Sequence, residues 1–213
     1  MPDTHLTRLV FLLDRSGSMQ SIKSDIEGGF AAFIDTQRAG VGDCTVTLAQ
    51  FDSEYEVVYT GMPINEVPLL DLRPRSMTAL LDAMGTLITD TRDELEALPA
   101  DQRPGTVIVA IMTDGMENAS SEWTRPPVKA LVEQQTNEQD WQFFYLGADQ
   151  DAVEVGTQLG VKREQSVTYS KGKSRDAMTA VSDNISHYRA AKVADPDSAM
   201  PAFSAKQRTG LSD

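Results

Sequence analysis

The sequence predicts an α/β fold: a Rossmann-like, doubly wound, mostly parallel central sheet with one antiparallel edge strand and helices on both faces. Three observations carry this. Residues 9–13 and 107–112 are wholly apolar runs, which read as strands buried on both faces, the mark of a parallel sheet covered by helices. Stretches with apolar residues at helical spacing separate the strand candidates, so β and α elements alternate. Alternation fails once: the strand-like runs 45–51 and 55–59 are separated only by Asp52-Ser53-Glu54, which predicts an antiparallel hairpin at a sheet edge.

In chain order, the first strand is followed by residues 19–37, where Ile22, Ile26, Phe30, Phe33 and Ile34 repeat at helical spacing. The hairpin comes next, then an irregular, proline-containing loop over 61–75. Thr78 is expected to open a helix carrying Leu80, Met84, Leu87 and Ile88. Pro104-Gly105 punctuates the chain before a strand at 106–113. A helix over 127–136 presents Val128, Leu131 and Val132 on one face, and prolines are tolerated at its start. A strand at 141–146, a short helix at 152–159, a strand at 167–169 and a last helix with Ala177, Val181, Ile185 and Tyr188 complete the pattern. There is no internal repeat. These elements make one domain over 1–190. Residues 191–213 are polar, with Phe203 and Leu211 as the large apolar anchors, too few for a core of their own. That tail is expected to be mobile or docked by Phe203.

A length of 213 residues suits one domain with a sizeable core. Its 19 basic against 32 acidic side chains give a formal net charge of -13, which argues against nucleic acid or an anionic membrane surface as partner and favours cations and basic surfaces. No basic-then-apolar leader opens the sequence, and no run approaches the ~18 apolar residues needed to span a bilayer. The single cysteine, Cys44, allows no intramolecular disulfide and reads as a buried structural thiol, so a cytoplasmic setting is expected.

Three short stretches carry the chemistry. Asp14-Arg15-Ser16-Gly17-Ser18 directly follows the first buried strand, Thr78 precedes a helix, and Thr113-Asp114-Gly115 directly follows the strand at 106–113. Both acids sit where strands of an open α/β sheet end, which is where that architecture binds ligands. Carboxylates and hydroxyls are oxygen donors for a hard dication: Mg²⁺ first, with Mn²⁺ or Ca²⁺ as other candidates, ahead of Zn²⁺. Only two of the five side chains, Asp14 and Asp114, carry charge; if either carboxylate acts through water, such an ion keeps positive charge and an open position and seeks an outside carboxylate.

This D-x-S-x-S, Thr, T-D-G set resembles the metal-ion-dependent adhesion site (MIDAS) of the von Willebrand factor A (vWA) domain, over roughly residues 6–190, in a form similar to stand-alone bacterial or phage members. The resemblance implies that Ser16, Ser18 and Thr78 bind the metal, that Asp14 and Asp114 act directly or through water, and that a partner's Asp or Glu completes the shell. The function it implies is a protein-binding assembly or regulatory module with no catalytic residues.

Glu117 and Asn118 are close enough to Asp114 to support it or to form a turn, and Asp149 and Asp151 either border the cleft or cap the next helix. Met19, Met77 and Met116 each lie within two residues of a predicted ligand, a candidate apolar collar, although Met19 also suits the core. Neither His5 nor His187 is placed to pair with Ser16 or Ser18, so Ser-His-Asp hydrolysis lacks support. The other function class is a metal-dependent phosphohydrolase or phosphotransferase resembling the haloacid dehalogenase group, with Asp14 as nucleophile. It would want a second acid where Ser16 stands.

Overall fold

The computed structural model describes residues 1–212. Six strands form one sheet: β1 (Asp3–Asp14), β2 (Asp43–Phe51), β3 (Tyr55–Pro63), β4 (Pro104–Thr113), β5 (Gln142–Ala148) and β6 (Ser166–Tyr169), in the spatial order β3-β2-β1-β4-β5-β6. Every neighbouring pair is parallel except β2 and β3, the hairpin at one edge. Helices α1 (Lys23–Arg38), α2 (Leu80–Ala97), α3 (Arg125–Gln139), α4 (Ala152–Gln158), α5 (Ser174–Ala194) and α6 (Ala205–Ser212) cover the faces.

The two-residue period of a strand explains the two cores. On β1, Leu9, Phe11 and Leu13 join α1 and α5, whereas Val10 and Leu12 join α2 and α3. β4 divides in the same way, with Ile108, Ala110 and Met112 on the first side and Val107, Val109 and Ile111 on the second. Phe11 packs edge-to-face against Phe30 and Phe33 of α1, with ring centroids 5.1 and 4.8 Å away. Burying each such ring contributes about 2–3 kcal/mol. Apolar residues at both parities of the central strands therefore reflect helices on both faces.

Register positions the site. Leu13 pairs with Met112 and Met112 with Leu146, so the carboxyl ends of β1, β4 and β5 lie abreast and their following loops stand side by side.

The structure revises some boundaries. The expected helix over 19–37 starts as a tight 3-10 turn, Gly17–Ser21, with α1 beginning only at Lys23, because the Met19 and Ile22 N–H groups donate three residues back. Thr78 lies outside α2, which begins at Leu80: the Thr78 and Ala79 N–H groups donate to Asn118 and Asp52, which holds this segment in loop conformation. β3 runs on to Pro63. In the polar tail, α6 lies against edge strand β6. Phe203 is buried edge-to-face on Phe144 at 5.6 Å, and Arg208 donates to the carbonyls of Ser166, Arg163 and Glu164. This helix was not legible as an element in the sequence, but it protects a strand edge that would otherwise expose unpaired backbone groups.

Candidate metal centre

Asp14 ends β1 and is fully buried. Its Oδ1 accepts the Ser16 N–H at 2.6 Å and its Oδ2 accepts the Thr113 hydroxyl at 2.5 Å, so one carboxylate ties the first loop to the end of β4. Across the cleft the Ser18 hydroxyl donates to Asp114 Oδ1 at 2.5 Å, and the Ser16 and Ser18 hydroxyls lie 3.1 Å apart. Thr78 is buried against the same point: a Cβ at Gly115 would stand 2.7 Å from the Thr78 hydroxyl and 3.5 Å from Asp14 Oδ2. Only glycine allows Gly115 to pass that close. The structure therefore brings Asp14, Ser16, Ser18, Thr78 and Asp114 together, and Ser18 faces solvent.

The donors are oxygens alone. Among the described residues, no group of three or more His, Cys, Asp or Glu side chains is placed to hold a metal; hydroxyls make up most of this cluster. Asp114 Oδ2 is buried and takes no hydrogen bond; the Lys171 ammonium lies 3.1 Å away as an ion pair without hydrogen-bond geometry. Lys171 therefore meets this buried oxygen with charge alone, and its hydrogen-bonding capacity stays open to another cation or donor. Burial pushes the Asp14 carboxyl above its ordinary range, the Thr113 and Ser16 hydrogen bonds pull it back, and the Asp114 charge adds to the rise. Burial likewise raises the phenol of Tyr169, with the charges of Asp114 and Asp14 contributing. Two acids crowded together with few counter-charges are what a dication would neutralise, so the residues present fit a hard divalent ion.

Surrounding contacts fix the three loops. Asn118 and Thr78 form a reciprocal pair: Asn118 Oδ1 accepts the Thr78 N–H at 2.9 Å, and the Asn118 N–H donates to the Thr78 carbonyl at 3.0 Å. Glu117 accepts the Leu81 N–H at 2.9 Å, and the Ser120 hydroxyl accepts that of Asp82 at 3.0 Å. The loop after β4 thus caps α2 from outside, satisfying first-turn N–H groups that have no partner within the helix. Asp82 returns the contact by accepting the N–H groups of Ser121, Glu122 and Trp123. Glu117 and Asn118 therefore hold the Thr78 segment.

A second brace was missed in the sequence. Buried Asp52, in the hairpin turn, accepts from Arg15 Nε at 2.9 Å and Arg75 Nε at 2.7 Å, both on Oδ2, while its carbonyl accepts the Ala79 N–H at 2.8 Å. Arg15 also pairs with Glu56, and the Arg75 N–H donates to the Arg15 carbonyl. Asp52 so joins the loop holding Ser16 to the loop holding Thr78. An acid in a hairpin turn looks like a turn former; its ion pairs come from segments distant in sequence, and no local pattern marks them.

Other sequence candidates separate. Met19 is buried in the core, so the three-methionine collar reduces to Met77 and Met116, which are 54% and 75% exposed. Asp151 caps α4 by accepting the Glu154 N–H at 2.9 Å. Asp149 is exposed, with φ of 49°, and its N–H donates to the Tyr169 carbonyl. Lys171, the residue that pairs with Asp114, was not singled out in the sequence because β6 and its turn are remote from every motif.

No protein-family model and no curated protein matches the chain, but solved structures share its fold. Proximal thread matrix protein 1 (PTMP1) from the mussel byssus superposes with a TM-score of 0.61 at 17% identity, covering 84% of this chain and 47% of that one. Another structure of that protein, with a zinc-occupied MIDAS motif, gives 0.59 at 16% identity, covering 84% and 47%. The vWF domain of the type V pili tip protein Mfa5 from Porphyromonas gingivalis gives 0.58 at 11%, covering 84% and 94%. The chain spans just under half the length of the first two. With its six-stranded, mostly parallel sheet and single antiparallel edge, the chain has the fold of a vWA domain.

Proposed function

We propose that this chain is a divalent-metal-dependent protein-binding module, serving assembly or regulation. Ser16, Ser18 and Thr78 would hold the ion through their hydroxyls, and Asp14 and Asp114 through carboxylate oxygens or water. The ion supplies Lewis acidity directed at a partner's Asp or Glu carboxylate. The observation that carries this reading is the meeting of two acids and three hydroxyls from three separate loops at the carboxyl ends of β1 and β4, with Asp114 Oδ2 free of hydrogen bonds. The all-oxygen donor set favours Mg²⁺, with Mn²⁺ or Ca²⁺ as substitutes. The zinc-occupied MIDAS of the mussel protein supports divalent binding by this fold; for this chain we keep Mg²⁺ on the chemistry of its donors. A reducing, cytoplasmic setting suits its single, buried thiol.

Specificity would come from the surface around the ion. Exposed Met77 and Met116 offer adaptable apolar contact beside a central charged one, so we expect a partner to present an Asp or Glu flanked by apolar or basic residues. The phosphohydrolase alternative has less support. Both Asp14 oxygens already accept hydrogen bonds, and Ser16 stands where a second acid would be required. Affinity capture with and without chelator tests the proposal: partners released on chelation support it, and a partner set indifferent to chelation contradicts it.

A further inference from the structure

The chain brings a positive charge of its own to this cleft. Lys171 opens the short turn Lys171–Lys173 between β6 and α5, and its ammonium lies 3.1 Å from Asp114 Oδ2, the oxygen that takes no hydrogen bond. The turn is anchored on both sides. The Ser170 N–H donates to the Leu211 carbonyl at 2.8 Å, and the Ser174 hydroxyl donates to the Lys171 carbonyl at 2.8 Å. The Lys171 side chain is 36% exposed, so a fixed backbone carries an ammonium that can reach Asp114 or swing into solvent.

We propose that Lys171 is a tethered counter-ion that competes with the divalent metal for Asp114 and so sets the metal affinity of the site. This rests on the metal-binding reading above. Asp114 Oδ1 is engaged by Ser18, which leaves Oδ2 as the face that either cation can use. A dication and an ammonium a few ångströms apart repel in the partly buried cleft far more than in bulk water. Metal entry therefore requires the lysine to leave. Lys171 would thereby keep Asp114 neutralised when metal is scarce and raise the metal concentration at which the site becomes able to accept a carboxylate.

Calorimetric titration with MgCl₂ and MnCl₂ of the parent chain, Lys171→Gln, Lys171→Met, Lys171→Arg and Asp14→Ala tests this, with circular dichroism to verify folding. Both neutral variants should bind the ion about tenfold or more tightly than the parent, as expected for removal of a like charge from a weakly screened site, and Lys171→Arg should stay near the parent. Unchanged or weaker affinity in the neutral variants, with parent binding intact and abolished in Asp14→Ala, would overturn the role of Lys171 and leave the metal site standing. Absence of binding by the parent and by all Lys171 variants would overturn the metal site and this inference together. Binding seen only in the neutral variants would support both.

Discussion

Asn118 and Thr78 hold each other by two hydrogen bonds, side chain to N–H at 2.9 Å and N–H to carbonyl at 3.0 Å. A hydroxyl offered to a metal is only as well placed as its backbone, and this pair fixes the Thr78 backbone from the loop after β4. Asn118→Ala leaves the Thr78 N–H in a partly buried setting without its acceptor, a cost of about 1–2 kcal/mol. It should also weaken Mg²⁺ binding by roughly tenfold, as removal of a group orienting a ligand does. Calorimetry checks both at once: undiminished affinity in Asn118→Ala would mean that Thr78 contributes little to the site.

Asp52 predicts a stability effect with a defined pH sign. Burial pushes its carboxyl up, but the Arg75 hydrogen bond, the Glu54 N–H and Arg15 together outweigh burial and leave it below the ordinary carboxylate range. A carboxyl lowered on folding contributes stability that is fully present above its unfolded pKa, near ~3.9, and is lost as pH falls through the lower folded value. Asp52→Asn leaves the buried Arg15 with only the exposed Glu56 as charge partner, so it should cost about 2 kcal/mol at pH 7, and the gap between parent and variant should narrow as pH falls below about 4. Urea midpoints at pH 7 and pH 3 measure this. An equal gap at both would remove the ion pair as the cause.

Cys44 is held as an unreactive thiol. Burial pushes it up to about 11, against smaller opposing effects of Arg189 and Arg8. At pH 8 the thiolate is then roughly one part in a thousand, and the thiolate is the nucleophile. A chromogenic disulfide reagent should react slowly with the folded chain and quickly once urea unfolds it. Equal rates would show that Cys44 is reached without unfolding.

Phe203 predicts the behaviour of the C-terminal segment. Phe203→Ala removes the edge-to-face partner of Phe144 and the ring over which Arg208 lies at 5.7 Å. Loss of a buried ring sets an upper limit of about 3–5 kcal/mol, but a terminal segment can detach locally and spare the rest. Limited proteolysis should therefore cut the variant between 195 and 205 well before the parent, with the domain surviving as a trimmed product. Identical cleavage patterns would show that α6 is held by Arg208 and Leu211 instead.

Particular residues show what the sequence could reveal. Residues 9–13 and 107–112 are apolar at both parities, and that alone requires a strand covered on both faces; the hairpin followed from a three-residue separator. The five residues proposed to hold the ion stand out in the sequence because Asp14 and Asp114 mark the ends of β1 and β4, and Ser16, Ser18 and Thr78 lie in the short segments before α1 and α2. Asp52, Ser120 and Lys171 were not, because each acts on a residue far away in sequence: Lys171 and Asp114 are joined only by the parallel packing of β4, β5 and β6. Helix α6 escaped because it has little apolar periodicity and is held by Phe203, Leu211 and one arginine on strand carbonyls. Thr78 does not open α2, which begins two residues later at Leu80, since the Thr78 and Ala79 N–H groups are bound by Asn118 and Asp52.

The most direct test of the account is the melting temperature of the parent chain and of Asp14→Ala, each with chelator and with saturating MgCl₂. An ion that binds only the folded state adds about 2.7 kcal/mol at a hundredfold excess over its dissociation constant. The parent should melt several degrees higher with Mg²⁺, while Asp14→Ala, folded and with the same secondary structure by circular dichroism, should show no shift. An equal Mg²⁺-induced rise in both proteins, or none in the parent, would contradict a metal centre built on Asp14.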